Sequence, residues 1–399
     1  MRRFFEKLEF VKPRDIGAIF VMFAAIPYAV WIRRRRKHMW LICEDRKEAR
    51  DNGYWLYKYI CEKQPQTDVV YAIDTHSSDR EKVIRLGREV IPFGGYKHWA
   101  YYMAAEKNIS SQKDGKPNAA VCYLLEVYGI WKNKRIFLQH GVIMNDLEFL
   151  HYQNTKMRLF VCGAKREYEY VKETFGYPQG YVQYLGSARF DGLHDIKVKE
   201  RQILVMPTWR EWIATPSRKS GKLDNMQSFT TTEYYRAWQD LLADQEIGEL
   251  LKKNDLHLIF YPHRNMQKFI EYFSVGDSNI TIADWRHYDV QTLLKESAFL
   301  ITDYSSINMD FAYMRKPLLY YQFDYEKFRA GQYQKGYFDY HDDGFGPVCR
   351  TLEEVRESLK HFIGQGLRPD EEYYERSSRF FELCDKQNCK RIYEAISKI

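Results

Sequence analysis

Short apolar runs alternate with longer amphipathic stretches from Met39 onward, and this pattern constrains the fold more than any other feature of the chain. Such alternation is typical of parallel strands joined by helices. Because the chain has 399 residues and no internal repeat, we expect two hydrophobic cores instead of one. The sequence therefore predicts an α/β protein with two doubly wound, Rossmann-like domains and a cleft between them.

The predicted strands form two series separated by a polar stretch at residues 194–201. The first series is predicted at residues 40–42, 69–73, 89–91, 109–110, 136–138, 159–161 and 182–185. The second series is predicted at residues 203–206, 257–260, 280–282, 299–302 and 318–321. We place a first α/β domain at residues 39–196 and a second at residues 197–399, with helices at 352–364 and within 369–397 covering the second sheet.

An apolar stretch of 17 residues, Ile16–Ile32, precedes the basic block Arg33–Lys37. This length is at the short limit for a spanning helix, and the stretch contains Pro27, so both a spanning and an interfacial helix stay open. A buried helix in a larger core is the third alternative. We expect residues 1–38 to form a membrane-associating segment, with the basic block and the rest of the chain on the cytoplasmic face of the cell membrane.

The net charge of +7 is concentrated in this basic block, which directly follows the apolar stretch. That position favours an anionic membrane surface as the partner and argues against nucleic acid. The seven cysteines form no CxxC pair and no zinc spacing, so they are predicted to be reduced thiols in the cytoplasm.

Ligands of open parallel sheets bind at the carboxyl ends of the strands, so the residues that follow each predicted strand are the candidate site. In the first series, His140 and Gly141 follow the strand at 136–138. An imidazole titrates near neutral pH and can remove a proton from a hydroxyl group, while the glycine allows close approach of a substrate. We therefore predict that His140 is a general base.

The second series carries polar and cationic residues at three strand ends, which predicts a site for an anionic ligand. The predicted catalytic residue here is His263. The predicted substrate-binding residues, together with Gly141, are Arg210, Arg264, Thr302, Asp303, Ser305, Ser306 and Asp310.

Several common chemistries are not indicated by the sequence, which has no GxxxxGK[ST] loop, GxSxG elbow, HExxH pair or GxGxxG turn after a strand. No metal is predicted to be required, although Asp191 and the pair Asp342–Asp343 could hold one.

Five short motifs occur in the order and spacing typical of one family. They are Gln139-His140-Gly141, Gly186-Ser187-Ala188-Arg189-Phe190-Asp191, Pro207-Thr208-Trp209-Arg210, Tyr261-Pro262-His263, and Thr302-Asp303-Tyr304-Ser305-Ser306 leading to Asp310. Over residues 39–360 the chain resembles the CDP-glycerol glycerophosphotransferases, which are the teichoic acid primases and polymerases of the Gram-positive cell wall.

This resemblance implies a GT-B-like fold in which the second domain binds the CDP moiety of CDP-glycerol or CDP-ribitol. It implies that His140 activates the acceptor hydroxyl, and that His263, Ser305 and Ser306 contact the donor pyrophosphate. The acceptor would be lipid-linked, of the undecaprenyl type, or a polymer, and no cofactor would be required. Many polymerases of the family carry a lysine where this chain has Asn145, so the resemblance leaves the polyol and the acceptor open.

Two alternatives remain at this point. The first is a GT-B glycosyltransferase that uses a nucleotide sugar, and the second is an inactive membrane-anchored scaffold. The sequence leaves the oligomeric state open, a homo-oligomer included.

Overall fold

The computed structural model describes residues 13–131, 134–194, 198–214, 229–332 and 334–399. These residues form two compact units. The first unit contains the described residues up to Val142 together with Leu147–Gly192 and Leu383–Ile399. The second unit contains Ile143–Asp146 and Leu193–Glu382.

The first unit is built on a parallel sheet of seven strands in the order β3-β2-β1-β4-β5-β6-β7. Its strands are β1 (Trp40–Cys43), β2 (Val69–Ile73), β3 (Val90–Pro92), β4 (Lys107–Ser110), β5 (Lys134–Phe137), β6 (Leu159–Cys162) and β7 (Val182–Tyr184). Every residue of β1, β2 and β6 is buried, as expected where helices cover both faces of a parallel sheet.

In the described part of the first unit, one helix precedes the first strand, and further helices connect most of the strands. The helices are α1 (Pro13–Arg35), α2 (Asn52–Lys63), α3 (Arg80–Ile84), α4 (Tyr96–Ala104), α5 (Ala119–Val127), α6 (Tyr152–Thr155) and α7 (Lys165–Thr174). At the start of α5, the side chain of Asn118 accepts a hydrogen bond from the amide of Val121, which satisfies one of the unpaired amides of that helix end.

The second unit repeats this design with six parallel strands in the order β10-β9-β8-β11-β12-β13. The strands are β8 (Lys199–Met206), β9 (His257–Phe260), β10 (Ile280–Ile282), β11 (Ser297–Thr302), β12 (Leu318–Tyr321) and β13 (Val348–Cys349). A separate antiparallel pair joins Asn145–Asp146 to Gln334–Lys335. In both sheets the strand order reverses beside the first strand, which is where open α/β sheets bind ligands.

The helices of the second unit pack against the faces of its sheet. They are α8 (Glu211–Ala214), α9 (Glu233–Ala243), α10 (Gln245–Lys253), α11 (Val290–Glu296), α12 (Ile307–Tyr313), α13 (Tyr325–Gly331), α14 (Leu352–Gly364) and α15 (Glu371–Phe380). The last helix of the chain, α16 (Asn388–Ser397), belongs to the first unit and packs beside α2.

The predicted α/β class with two doubly wound sheets is confirmed, and every predicted strand is present. The sequence did not predict β13, because a strand of two residues leaves no apolar run. The domain division differs from the predicted one in three places. The chain passes to the second unit at Gly192–Leu193, Ile143–Asp146 also belong to that unit, and α16 returns to the first unit. Residues 195–197 of the predicted hinge lie outside the described residues.

Helix α1 packs lengthwise against the first unit. One stripe of the helix, at Met22, Ala25, Ala29 and Ile32, is buried in the core cluster that contains residues of α4. Asn118 donates a hydrogen bond to Asp15 (2.8 Å) near the start of the helix. Just beyond the other end, Arg36 forms ion pairs with Asp68 and Glu89. Helix α1 is therefore fastened to the rest of the first unit at both ends.

Candidate active site

His140 lies in the turn that follows β5, and its ring is held by a carboxylate. Its Nδ1 atom is 2.6 Å from Oδ2 of Asp51, and the side-chain nitrogen of Gln112 lies 2.8 Å from the same ring nitrogen. Because an ionised carboxylate only accepts hydrogen bonds, Nδ1 carries the proton and Nε2 is the basic nitrogen. The side chain of His140 is 70% exposed, so this nitrogen can be reached by a substrate.

Asp51 is oriented from its other side by an arginine. Nη1 of Arg189 lies 2.9 Å from Oδ1 of Asp51, and the same guanidinium donates to the backbone carbonyl of His140. Burial alone would raise the pKa of Asp51, but His140 and Arg189 outweigh it and the pKa is lowered. In turn, the negative charge of Asp51 raises the pKa of His140. The Asp51–His140 pair is thus arranged as a carboxylate that orients and strengthens a base.

The backbone around His140 is fixed by Asn52, the first residue of α2. Its side-chain nitrogen donates to the carbonyls of Leu138 (3.3 Å) and Gln139 (2.7 Å). Its side-chain oxygen accepts from the hydroxyl of Ser187 (2.7 Å) and the amide of Arg189 (2.9 Å). Asn52 is completely buried, so its hydrogen bonds are shielded from water.

Gln139, directly before His140, adopts a left-handed backbone conformation with φ of 67°. This conformation is unfavourable for a residue with a side chain and persists only where the surroundings hold it. Here the side-chain amide of Gln139 donates to Glu167 (3.0 Å), and Glu167 also accepts from the amide of Gly163 (2.7 Å). The turn that presents His140 is therefore held from both sides.

A second buried acid, Glu44, lies behind the Asp51–His140 pair. It accepts hydrogen bonds from the amide of Gly53 (2.6 Å), the hydroxyl of Tyr71 (2.7 Å) and the hydroxyl of Ser111 (3.0 Å). Burial raises the pKa of Glu44 to about 7, and the nearby charge of Asp51 adds to this effect. Asp51 is consequently the main negative charge acting on His140.

Asp191 has a structural contact that explains why α16 belongs to the first unit. Its carboxylate accepts from the backbone amides of Asn388 (2.9 Å) and Cys389 (2.8 Å) at the start of α16. A carboxylate at this position satisfies amides that the helix leaves unpaired. Asp191 is thereby engaged with α16, and in the described part of the chain no group of three or more potential ligand side chains is placed to hold a metal ion.

In the second unit, a buried ion cluster joins the ends of three strands. Nε and Nη2 of Arg210 contact Asp324 in a fork (2.7 and 3.0 Å), and Nη1 lies 2.9 Å from Asp303. The other oxygen of Asp303 accepts from the amides of Thr208 (2.8 Å) and Tyr304 (2.6 Å). This cluster holds together the loops that follow β8, β11 and β12.

Four of the predicted ligand-binding residues are buried in this region. Arg210, Thr302 and Asp303 have no exposed surface, and Asp310 is 3% exposed. The hydroxyl of Thr302 donates to the carbonyl of Met206 (2.7 Å). We expected Arg210 to bind a ligand directly, but its guanidinium is taken up by two carboxylates. Arg210, Thr302 and Asp303 thus make contacts within the protein that hold these strand ends and loops together.

His263 follows β9 and is half-buried. Its Nδ1 accepts a hydrogen bond from the backbone amide of Asn265 (3.2 Å), so the proton of a neutral ring is on Nε2. The ring lies beside the indole of Trp209, with 6.3 Å between the centroids. Arg264 is exposed, and its guanidinium lies 5.2 Å from the ring centroid of Trp285. This strand end therefore presents two nitrogen donors that suit a phosphate.

Ser305 and Ser306 form the turn between β11 and α12, and both are half-buried. The backbone carbonyl of Ser305 accepts from the side chain of Asn308 (2.8 Å), which fixes the turn. Gly141, the remaining predicted residue, is half-buried next to His140 in the first unit. All other predicted site residues except His140 lie in the second unit, at or after the carboxyl ends of β8, β9 and β11.

The sequence reasoning missed Asp51, Asn52 and the role of Arg189. Asp51 directly precedes α2, at the far end of the connection that follows β1, so the rule that considers the residues directly after a strand does not reach it. The distance in sequence between residues 51, 140 and 189 gave no sign that they meet. Only the pairing of β1, β4 and β5 brings the connection after β1 close to His140.

The comparison with protein families matches residues 26–398 to the family described as CDP-glycerol:poly(glycerophosphate) glycerophosphotransferase. Among curated proteins, the chain is 31% identical over 386 residues to the minor teichoic acid biosynthesis protein GgaB of Bacillus subtilis. That match covers 95% of this chain but 42% of GgaB, so the chain spans less than half the length of this relative.

Among solved structures, the wall teichoic acid polymerase TagF superposes with a TM-score of 0.67 at 15% identity, over 97% of this chain and 98% of that one. A structure of TagF soaked with CDPG matches with a TM-score of 0.63 at 14% identity, over 91% of this chain and 88% of that one. The UDP complex of MnaA from S. aureus matches at 0.56 and 12% identity, over 90% and 96%. These likenesses confirm the predicted GT-B-like α/β fold. With a family match over nearly its whole length, the chain belongs to the CDP-glycerol:poly(glycerophosphate) glycerophosphotransferase family.

Proposed function

We propose that this protein transfers glycerol phosphate, or a similar polyol phosphate, from a CDP-activated donor to an acceptor hydroxyl in teichoic acid synthesis. The observation that carries the proposal is the Asp51–His140 pair after β5, in a chain whose family is named for this transfer. The acceptor we propose is a lipid-linked or polymer chain end. The donor is CDP-glycerol or CDP-ribitol.

In the proposed reaction, Nε2 of His140 removes the proton from the acceptor hydroxyl. The oxygen attacks the β-phosphorus of the donor, a new phosphorus–oxygen bond forms, and the bond to the bridging oxygen breaks. CMP leaves with that oxygen. His140 becomes an imidazolium in this step. Asp51 stabilises that cation, because its ionised carboxylate already accepts a hydrogen bond from the N–H group at Nδ1.

We assign donor binding to the second unit. A neutral His263 with its proton on Nε2 can donate to a pyrophosphate oxygen, and Arg264, Ser305 and Ser306 offer further donors at the same sheet end. The buried cluster of Arg210, Asp303 and Asp324 holds the loops after β8, β11 and β12 together, and the loop after β11 contains the two serines. The TagF structure soaked with CDPG supports a CDP-linked donor for the family.

The experiment that tests the function is an acceptor-dependent assay of CMP release. Purified protein is given CDP-glycerol, CDP-ribitol or a UDP-sugar, each with and without a lipid-linked glycerol phosphate acceptor. We expect CMP release from a CDP-polyol only when acceptor is present. Transfer from the UDP-sugar and from neither CDP-polyol would instead establish the nucleotide-sugar glycosyltransferase. If no donor is turned over or bound, the inactive scaffold would be established.

Replacing Asp51 with asparagine should shift the pH dependence of transfer. A general base must be unprotonated, so turnover falls as the pH drops through the pKa of His140. Because the charge of Asp51 raises that pKa, its removal lowers the pKa and moves the acid limb of the profile to lower pH. The plateau should fall roughly tenfold or more, since the base is weaker and less well oriented. The measurement is kcat/KM for CMP release as a function of pH.

The matched control for this variant is Asp74→Asn. Asp74 also lies beside an arginine and a histidine, Arg46 and His76, but it follows β2 and has no contact with His140. We expect the control to keep the wild-type pH profile. If Asp51→Asn also keeps the wild-type pH profile, Asp51 does not raise the pKa of the catalytic base His140.

We also propose that the chain binds the cytoplasmic face of the membrane through the side of α1. By length and composition, Asp15–Arg35 could cross a membrane. One stripe of this helix is nevertheless buried against the first unit, while the opposite stripe exposes Phe20 and Phe23. Arg33, Arg34 and Arg35 are exposed at its end. An apolar stripe beside a cationic cluster favours a helix that lies in the plane of an anionic membrane surface.

The double variant Phe20→Ser, Phe23→Ser should lose membrane binding. Each phenylalanine buried in lipid contributes about 1.5–3 kcal/mol, so partitioning should weaken by roughly 10²-fold or more. Flotation with phosphatidylglycerol vesicles measures this, and phosphatidylcholine vesicles should bind the wild type less well. Tyr374→Ser, which alters a 50% exposed ring of the second unit, is the control. Unchanged flotation of the double variant would exclude α1 as the contact.

A further inference from the structure

Arg329, on α13, is a half-buried arginine without a carboxylate partner among the described residues. Its Nη1 donates to the side-chain oxygen of Asn145 (2.8 Å), and its Nε is buried with no hydrogen-bond acceptor. A guanidinium that is partly removed from water loses hydration, and here no negative charge of the described chain replaces it. Such a cation is a candidate for a ligand that brings its own negative charge.

The side chain of Arg329 is held between aromatic rings. Its guanidinium carbon lies 5.6 Å from the ring centroid of Tyr325 and 5.9 Å from that of Tyr340. These rings, together with the hydrogen bond to Asn145, restrict where the planar group can point. A guanidinium positioned in advance loses less conformational entropy when it binds an anion.

Two sets of contacts connect Arg329 with the turn that contains Ser305 and Ser306. In the first, the neighbouring residue Phe328 stacks on Tyr304, with 3.7 Å between the ring centroids, and Tyr304 contacts Tyr340 (6.0 Å). The residues are all part of the second unit. Arg329 is therefore linked, through Tyr340 and through Phe328, to the turn to which we assign the donor pyrophosphate.

The second set of contacts runs through Asn145. The preceding residue, Met144, has its sulfur 3.5 Å from the side-chain nitrogen of Asn308, and that nitrogen also donates to the carbonyl of Ser305. Asn145 thus links Arg329 to the same turn from the other side.

Arg210 lies beside two other aromatic rings of this unit, Tyr304 and Phe328, and is in a different electrostatic state. Its guanidinium is 5.0 Å from the ring centroid of Tyr304 and 5.2 Å from that of Phe328, yet Asp303 and Asp324 neutralise it. Within the described part of the chain, Arg329 has no carboxylate partner. Of these two arginines, only Arg329 keeps a charge that a ligand could neutralise.

We infer that Arg329 binds a phosphate of the nucleotide diphosphate donor and that Asn145 positions its guanidinium. The inference rests on the proposed function, because the ligand is the donor of that reaction. The planar fork of a guanidinium matches two phosphate oxygens, and the bond is assisted by both charges. Arg329 would then be the cationic donor contact that Arg210 cannot supply.

The test is isothermal titration of the full chain with CDP-glycerol and, separately, with cytidine, which lacks phosphate. Arg329→Ala should weaken CDP-glycerol binding about 10- to 100-fold, as expected for a lost hydrogen bond between charged groups. Cytidine affinity should not change. Asn145→Ala should weaken CDP-glycerol binding by a smaller factor, because the guanidinium stays but is less well oriented.

Arg350→Ala is the matched control. Arg350 contacts the same tyrosine as Arg329, with its guanidinium 4.2 Å from the ring centroid of Tyr325. Its Nη1 donates to the backbone carbonyl of Gln322. We expect wild-type affinity for CDP-glycerol. If Arg329→Ala does not fold, Arg329→Gln takes its place, since glutamine can still bond Asn145 without the charge.

The outcomes separate this inference from the proposed function. If the wild type binds neither CDP-glycerol nor CDP-ribitol, the proposed function fails; if it binds CDP-ribitol alone, the same variants are titrated with that donor. If the wild type binds and the Arg329 variants bind equally well, Arg329 is not a donor contact. Equal losses for CDP-glycerol and cytidine would also overturn the inference, because they would show a general disturbance of the site instead of a lost phosphate contact.

Discussion

Replacing His140 with alanine is expected to lower acceptor-dependent CMP release by roughly 10²- to 10⁴-fold, the usual contribution of a positioned general base. Donor affinity should stay within about twofold of the wild type, because His140 belongs to the first unit and we assign the donor contacts to the second. The measurements are the rate of CMP release from CDP-glycerol and the affinity for CDP-glycerol by titration. A loss in rate with intact donor binding separates the base from the binding residues.

His76→Ala is the control for this variant. His76 is exposed and lies beside a carboxylate, Asp74, as His140 lies beside Asp51. The control should release CMP at the wild-type rate. Near-normal turnover of His140→Ala would remove His140 from the proton transfer and with it the division of labour between the two units.

Replacing Arg210 with methionine is expected to destabilise the second unit by about 3–5 kcal/mol, because it leaves two buried carboxylates without a counter-charge. Asp303 and Asp324 expose 0% and 2% of their side chains, so water cannot replace the lost partner. A unit of this size should then unfold at a temperature roughly 10 °C lower. Calorimetry on the full chain measures the shift.

Arg210→Lys should give a smaller shift, because it keeps the charge but not the planar guanidinium, whose fork contacts Asp324 and whose Nη1 contacts Asp303. Arg286→Met, at an exposed arginine of the same unit, is the control and should leave the unfolding temperature within about 1 °C. If Arg210→Met unfolds at the wild-type temperature and binds CDP-glycerol more weakly, the result would support the sequence prediction that Arg210 contacts the ligand directly.

Most of the fold could be predicted because buried parallel strands have a local signature. Val69–Ile73 and His257–Phe260 appear as apolar runs whatever surrounds them, and both are strands in the structure. Val348–Cys349 is a strand only because it pairs with β12, so no run of its own identifies it. The placement of α16 likewise depends on Asp191, which lies 197 residues before Asn388.

The site was predictable to the extent that its residues directly follow strands. His140 and His263 stand at strand ends in the sequence and in the structure. The chemical state of each ring depends on partners elsewhere in the chain: Asp51 holds the proton on Nδ1 of His140, while the amide of Asn265 leaves it on Nε2 of His263. A hydrogen-bond partner from a distant loop cannot be read from a motif.

The sequence by itself determined the alternation of strands and helices, the two sheets, and the strand ends at which polar residues gather, because these depend on local hydrophobic periodicity. The tertiary structure decided which of those polar residues can meet a ligand. Arg210 and Arg329 both lie beside aromatic rings of the second unit, yet Arg210 is neutralised by Asp303 and Asp324, while Arg329 has no carboxylate partner among the residues that the structure describes. Burial and charge pairing are properties of neighbours in space, and the chain order of residues 210, 303 and 324 gives no indication that they touch.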